Sequence, residues 1–513
     1  MIGWILLRLK PVGSILIVIF CPLFLFSQEI YTPAILGNYS NVTSWEEISA
    51  FVKRLDSQSD LMEAEIIGQS VRGRDIYALR FSASEFGTDL SKIRVMIFAQ
   101  QHGNEQSGKE GALLLAVELL KAENRYLFER IDLLLVPQVN PDGAELNQRR
   151  NAHDADLNRN HVILTEPETL ALHRIFDRYL FDVTLDVHEY SPYGEEWKEY
   201  GYRKNSDLTI GTTTNPNVSE AIRGLSSGSY LPFIFKYLND RGFSASEYCP
   251  GGPPGSGYFR HSTFDVNDGR QSLGIQNTFS FIQEGMNGND DFTENLRHRT
   301  EGQCCGMLGL LEYCYQDRDR IKDMVALERE KLLSGKNGAN VSIQSDHYGN
   351  GEKLALPLFS YFTGKDTVVI VDDYRPVVKS VRDVSRPAGY LVPKSCKELA
   401  DWVERQSFAT SAFSHQDDYD IGQYYISSVD SIDFEGDMTV NPTTETRNFQ
   451  GRINPADYIF IPTDQLKCNL LILALEPESE LGLVTYRDYA HLLKAGELFP
   501  VLRVMEKSKN LIK

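Results

Sequence analysis

Cysteine is scarce in this chain, with seven in 513 residues and none spaced as Cys-x-x-Cys, so no dense disulfide framework carries the fold. Positive charge is also in short supply: 52 Lys plus Arg face 71 Asp plus Glu, a net charge of −19. A phosphate backbone needs a concentrated basic face, and no basic stretch is present, so nucleic acid is excluded as the main partner. Long apolar runs are missing beyond the first 27 residues, and no internal repeat is visible. What remains is ordinary for a globular protein, 42% hydrophobic and 24% charged, which rules out collagen, coiled coil and wholesale disorder. At roughly 100 to 200 residues per domain, the length predicts two or three domains, each large enough to bury a core.

The one apolar run has a recognisable layout. Arg8 and Lys10 precede residues 15–26, and small Ser27 follows before Gln28. This reads as a secretory signal peptide, residues 1–27, cut near Ser27. The run is shorter than the roughly 20 residues that a membrane span requires, so no stable span is expected after cleavage. Cys21 is followed by Pro22 and lacks a small residue before it, which argues against a lipid-anchor site. The expected location is therefore periplasmic or extracellular. Six cysteines stay in the mature chain, Cys249, Cys304, Cys305, Cys314, Cys396 and Cys468. Export permits disulfides, buried thiols fit equally well, and their pairing stays open.

Ser44-Trp45-Glu46-Glu47 has the form of a capping box opening a helix. Residues 65–70 and 74–81 read as a hairpin, followed by apolar strand patterns at 93–99, 131–137 and 183–187 with helical patterns at 112–121 and 167–180 between them. Strand and helix in turn predict an α/β fold with a mixed, largely parallel central sheet flanked by helices, whose ligands sit beyond the carboxyl ends of the strands. The Gly-, Pro- and Tyr-rich residues 205–274 read as long loops over one face. Residues 279–283 return as a strand and 295–333 are helical, with a linker at 335–338. Residues 28–334 thus form the expected catalytic domain. Residues 335–513 form a smaller β-rich accessory domain, with strand patterns at 367–371 and 468–474 and a helix at 395–406.

The chemistry gathers after these strands. His102-Gly103-Asn104-Glu105 follows 93–99 almost directly, placing an imidazole and a carboxylate three residues apart at the sheet's carboxyl edge. Alone it is weak, since ten histidines yield about one His-x-x-Glu by chance and the chain has a second, His298 to Glu301, which reads as a solvated helix face. The first has company: Asn140-Pro141-Asp142-Gly143, Arg149-Arg150-Asn151, Asp156-Leu157-Asn158-Arg159-Asn160, and His188 at the end of 183–187. In this order the motifs resemble the zinc carboxypeptidases, the carboxypeptidase A-like metallopeptidases, over about residues 44–313. The resemblance implies one Zn2+ held by His102, Glu105 and His188, with Asp156 orienting the first histidine. It implies that Glu284 is the general base and acid, that Arg149 polarises the scissile carbonyl, and that Asn158 and Arg159 bind the substrate's terminal carboxylate.

Each role has a physical basis. A carboxylate beside the metal can remove a proton from water and hand it to the leaving amine, a fixed guanidinium stabilises an oxyanion, and arginine's planar fork matches a carboxylate as lysine does not. Arg150 competes for the oxyanion role. Glu189 stands where many members of the family carry a small hydroxyl residue. Tyr248 and Tyr258 are both candidates for the family's mobile tyrosine, and Asp268 and Arg270, with opposite implications for side-chain preference, are candidates for the pocket floor. The expected function is an exported zinc-dependent metallocarboxypeptidase acting on peptides with a free C-terminal carboxylate. The alternatives are an amidase or deacylase, a peptidoglycan stem-peptide hydrolase on the same scaffold, or a silent binding protein.

Overall fold

The computed structural model describes residues 30–507 apart from 291–292, 337, 415 and 435–436, so the expected signal segment at 1–27 lies outside the described residues. An eight-stranded sheet forms the centre, built from β1 (Met62–Gln69), β2 (Asp75–Phe81), β3 (Ile93–Ala99), β4 (Ile131–Val136), β5 (Val183–Tyr190), β6 (Leu208–Thr212), β7 (Ala245–Glu247) and β8 (Phe279–Met286). Their spatial order is β1-β2-β4-β3-β5-β8-β6-β7. The four in the middle, β4, β3, β5 and β8, run parallel. The hairpin β1–β2 and the strand β6 pair antiparallel at either side, giving the mixed, largely parallel sheet that the sequence predicts.

The central strands are apolar without alternation because both faces are covered. Val95, Ile97 and Ala99 of β3 join one core with helices α1 (Trp45–Gln58), α2 (Gln106–Leu120), α4 (Leu296–Gln316) and α5 (Arg318–Leu333). Met96 and Phe98 join the other, packed on α3 (Pro167–Tyr179). The capping box is formed, with the Ser44 hydroxyl accepting from Glu47 N and the Glu47 carboxylate accepting from Ser44 N. The same period of two sorts β5. Val183, Leu185 and Val187 enter the first core, which leaves Asp186 and His188 on the opposite face.

Two expectations are corrected. Residues 205–274 are not long loops throughout: β6 and β7 belong to the main sheet, and helices occupy Glu220–Leu225 and Leu231–Asn239. Gly224, Gly228 and Pro232 break up the helical composition, yet Ile222, Tyr230, Ile234 and Leu238 pack into the first core, and a wide turn at Ser226–Tyr230 precedes Pro232 in the helical run. The stretch expected as a strand at 468–474 is a helix, Cys468–Leu475, buried along its whole length. A helix that is apolar all round shows no 3.6-residue period and cannot be told from a buried strand by pattern alone.

The β-rich C-terminal region carries a five-stranded antiparallel sheet, Asp437–Asn448, Tyr419–Phe434, Leu498–Glu506, Gly389–Pro393 and Tyr458–Pro462 in spatial order. It is fused to the catalytic region by a shared core, in which Val162, Val266 and Ile275 pack with Tyr390, Trp402, Leu470 and Leu471. Strand Leu354–Ser360 pairs with Tyr202–Lys204, and Tyr374–Arg375 pairs with Phe259–Arg260. Trp402 Nε1 donates to Val162 O at 2.8 Å and Gln406 Nε2 to the same oxygen at 2.8 Å, which holds the chain just after Asn158 and Arg159 from the C-terminal side.

Near this seam burial, with charge from Asp265 and Asp346 adding to it, pushes the Glu480 carboxyl up to about 8, although Ser345 N donates to it. A carboxyl raised in the folded state binds a proton that the unfolded chain has already lost. Its contribution to stability is therefore complete below the unfolded value, about 4.3, and disappears as pH rises through about 8. Thermal unfolding followed across pH 5 to 9 should show stability falling toward the alkaline end, and Glu480→Gln should flatten that slope; an unchanged slope in the variant would assign it to other groups.

Candidate metal centre and substrate cleft

At the carboxyl end of β3 the chain turns through Gln100, held at φ 60°, and delivers His102 and Glu105. The turn is braced by the Asn-Pro-Asp-Gly motif: Asn140 Nδ2 donates to Gln101 O at 3.1 Å, and Gly103 lies against Gly143 so closely that a Cβ on it would sit 2.1 Å from the Gly143 carbonyl carbon. Asp142, fully buried, accepts from Arg74 Nη1 at 2.6 Å and ties the hairpin to the same motif. These contacts explain why two separated glycines flank the histidine: only backbone fits between them.

His188 arrives from β5, and its Nδ1 lies 2.8 Å from Glu105 Oε2 and 3.2 Å from His102 Nδ1. His102 Nδ1 is 2.7 Å from Glu105 Oε1. All three side chains are buried, and one ligand atom from each lies within 4.8 Å of the others. Two imidazoles and a carboxylate with converging lone pairs form a donor set that zinc accepts, with a fourth position left over. The outer nitrogens are held as such a site requires. His102 Nε2 sits 3.1 Å from Asp156 Oδ1, and His188 Nε2 sits 2.8 Å from Asp186 Oδ1. Burial alone would raise the Glu105 carboxyl, but His102 and His188 hold it well below the usual carboxylate range. Asp156 is likewise held low against its burial by His102, Arg149 and Arg159.

Asp186 was not singled out from the sequence. Its signal was there: a carboxylate two residues before His188 in an otherwise apolar strand shares that residue's face. Behind it runs a buried relay. Gln101 Nε2 donates to both Asp186 oxygens at 3.0 and 2.9 Å, while its Oε1 accepts from His161 Nε2 at 2.8 Å. His161 Nδ1 then accepts from His173 Nε2 at 2.9 Å. Burial lowers His161 to about 4, so the ring is neutral and this tautomer is consistent. Gln406 of the C-terminal region reaches the His161 carbonyl at 3.3 Å.

The structure arranges the other expected residues as follows. Glu284 lies on β8 in register with His188 of β5, buried, and on the face opposite Phe279 and Phe281. Burial, reinforced by Glu105 and opposed by His188, His102 and Lys204, raises its carboxyl to about 7. Arg149 Nε donates to Asp156 Oδ2 at 2.9 Å, and its Nη1 stands 3.2 Å from His102 Nδ1, so the guanidinium points at the centre. Arg150 instead turns to the Asp154 carbonyl at 2.8 Å. Arg159 is exposed, whereas Asn158 is buried and engaged: its Oδ1 accepts from Gly269 N at 2.8 Å and Gln101 Nε2 at 3.2 Å, and its Nδ2 faces His188 Nε2 at 3.4 Å.

Asp268 and Arg270 do not present a lone charge of either sign, because they pair with each other at 2.7 Å and are both buried. Asp268 also caps the following helix at Gln271 N, and Arg270 binds Ser262 and Thr263. Tyr248 sits half-buried near Glu284 and Arg270, while Tyr258 stacks on Arg375 at 4.0 Å. Glu189 faces away from the centre and pairs with Arg299 at 2.8 Å. One neighbour of the cleft escaped the sequence reading altogether: Tyr486 of the C-terminal region brings a buried hydroxyl beside Asn267 and Arg159. The second His-x-x-Glu stays on the surface of α4, with His298 paired to Asp207 and Glu301 to Arg297. The six cysteines are all free thiols.

The sequence is similar to those of known proteins. Residues 48–229 match the family model described as zinc carboxypeptidase. In this segment the chain is similar to the zinc carboxypeptidase family. Carboxypeptidase 2 of Trichophyton tonsurans is 24% identical over 487 residues, spanning 91% of this chain and 87% of its own length. The catalytic chain of human carboxypeptidase N is 26% identical over 349 residues, covering 57% of this chain and 72% of that one. Among solved structures, a metallo-carboxypeptidase from Pseudomonas aeruginosa is 24% identical, with a TM-score of 0.42 over 55% of this chain and 70% of that chain.

His188→Ala should leave the purified protein without its zinc, measured by elemental analysis. Asp186→Asn should keep the metal but bind it about 10-fold to 100-fold more weakly in a chelator competition, because a ligating imidazole loses its orienting carboxylate. Equal affinities for Asp186→Asn and wild type would show that the outer nitrogen of His188 needs no anion.

Proposed function

We propose that the mature chain is an exported zinc carboxypeptidase that hydrolyses the last peptide bond of peptides carrying a free C-terminal carboxylate. The observation that supports it is the convergence of His102, Glu105 and His188 beside a buried carboxyl, Glu284, on the adjacent strand. Zinc held by those three side chains would supply a Lewis acid that brings the pKa of water to about 7 and polarises a carbonyl. Glu284, raised to about 7, is suited to take a proton at neutral pH and return it to the departing amine. Arg149, aimed at the centre and steadied by Asp156, offers a guanidinium to the carbonyl oxygen as charge builds there.

Arg159, on the cleft surface beside Asn158, is the group that reads the terminal carboxylate. Asn158, whose Oδ1 accepts from Gln101 and Gly269, fixes the loop that carries it and offers its Nδ2 to the same carboxylate. Residues 1–27 supply the export signal. No helix among the described residues is long and apolar enough to cross a membrane.

Glu284→Gln should retain zinc and lose most of its turnover, because an amide cannot shuttle a proton. Wild-type rates would end the assignment. A peptide and its C-terminal amide, assayed side by side, should differ by at least 100-fold in kcat/KM, and Arg159→Ala should lower kcat/KM for the free acid while leaving the amide unaffected. Equal turnover of both substrates would point to an amidase instead.

A further inference from the structure

A second group of metal-binding side chains lies outside the centre just described. Glu247 closes β7, Cys249 follows two residues later, and His261 stands just after the short strand Phe259–Arg260. One ligand atom from each lies within 4.8 Å of the others, and among the described residues only this trio and the first centre meet that condition. We propose that Glu247, Cys249 and His261 bind a second zinc ion, which fastens the loop beyond β7 to the segment that pairs with the C-terminal region.

Four observations carry the inference. The donor set is a thiol, an imidazole and a carboxylate, the three ligand types that zinc takes up readily, and sulfur sets it apart from the all-nitrogen-and-oxygen first centre. His261 is buried, and its Nδ1 is enclosed without an aligned hydrogen-bond partner although Glu247 Oε2 is 3.0 Å away. With its proton on Nε2, toward Thr212, the ring turns a lone pair to this carboxylate, a pairing that a cation between them would satisfy. The orientation of the donors is also supported from outside, as in established zinc sites. His261 Nε2 is 3.1 Å from Thr212 Oγ1, and the Tyr374 hydroxyl donates to Glu247 Oε2 at 2.8 Å. Finally, the Glu247 side chain is 37% exposed, so an ion has a route in and a water has room at a fourth position.

Binding forms a metal–sulfur bond and breaks the S–H bond of Cys249, whose proton leaves to solvent. Lys204 Nζ donates to the Cys249 carbonyl at 3.1 Å, which fixes the backbone that carries the thiol. The position suggests the purpose. Tyr374 belongs to the strand that pairs with Phe259–Arg260, and Cys249, Phe259, Leu356 and Tyr374 share one small apolar cluster. An ion here would join two segments, the loop beyond β7 and the chain after Phe259–Arg260, the strand with which Tyr374–Arg375 of the C-terminal region pairs. It would also hold Tyr248, between two of its ligands, against Glu284 and Arg270.

The test uses the full mature chain, purified under reducing conditions, stripped of metal and reloaded with zinc or with cobalt(II). Elemental analysis should find two zinc ions per chain, falling to one in Cys249→Ser and in His261→Ala. With cobalt, the wild type should show a near-ultraviolet thiolate-to-metal charge-transfer band, which the first centre cannot produce because it has no sulfur. The band should vanish in Cys249→Ser and persist in His188→Ala, so loss of the first site and loss of the second are read separately. A single ion in the wild type, no thiolate band in the wild type, or a band that survives Cys249→Ser would each overturn the proposal.

Discussion

Two imidazoles and a carboxylate with their lone pairs turned toward one point cannot rest together inside a protein unless positive charge stands among them, and much of this molecule is organised around that demand. The Nδ1 atoms of His102 and His188 are 3.2 Å apart, with Glu105 bridging them. Holding them there takes a carboxylate behind each ring, Asp156 for one and Asp186 for the other. Asp186 in turn needs Gln101, and Gln101 needs His161. Because every member except Asp156 is buried, each polar group has to be matched by the next, and the chain of dependence runs inward from the sheet edge until it meets α3 at His173.

The accessory region takes part in this order. Trp402 and Gln406 grip the backbone at 161–162, immediately after the loop that carries Asn158 and Arg159, and Tyr486 closes on Asn267 and Arg159. The shared apolar core means that the two regions stabilise each other, so damage in the accessory sheet should be felt in the cleft. The long similarity to Carboxypeptidase 2 of Trichophyton tonsurans, which runs over 91% of this chain, is in keeping with the two regions acting as one unit.

Much of the fold was legible because its strongest signals are local. Apolar strands at 93–99, 131–136 and 183–187 and the helices after them follow from composition and period, and the capping box at Ser44 is formed as the pattern implies. Reading failed where a local rule had two solutions. Residues 468–475 are apolar at every position, which suits a buried helix as well as a buried strand. Glycines and Pro232 between 220 and 239 hid two helices whose inward residues are nonetheless apolar. Asp268 and Arg270 were rivals for one pocket, and only their mutual pairing at 2.7 Å shows that neither offers an unbalanced charge.

What the amino-acid order determined by itself is the inventory and its spacing: an imidazole and a carboxylate three residues apart after one strand, another imidazole at the end of a second, and an acid at the end of a third. Those positions follow from period and strand length, which are properties of short stretches. Tertiary structure decided which of these groups share a volume, which acids stand behind them, and which of two adjacent arginines turns inward. Such choices depend on strand order and on contacts between residues as far apart as His161 and Gln406, and no local pattern encodes a distance across the chain.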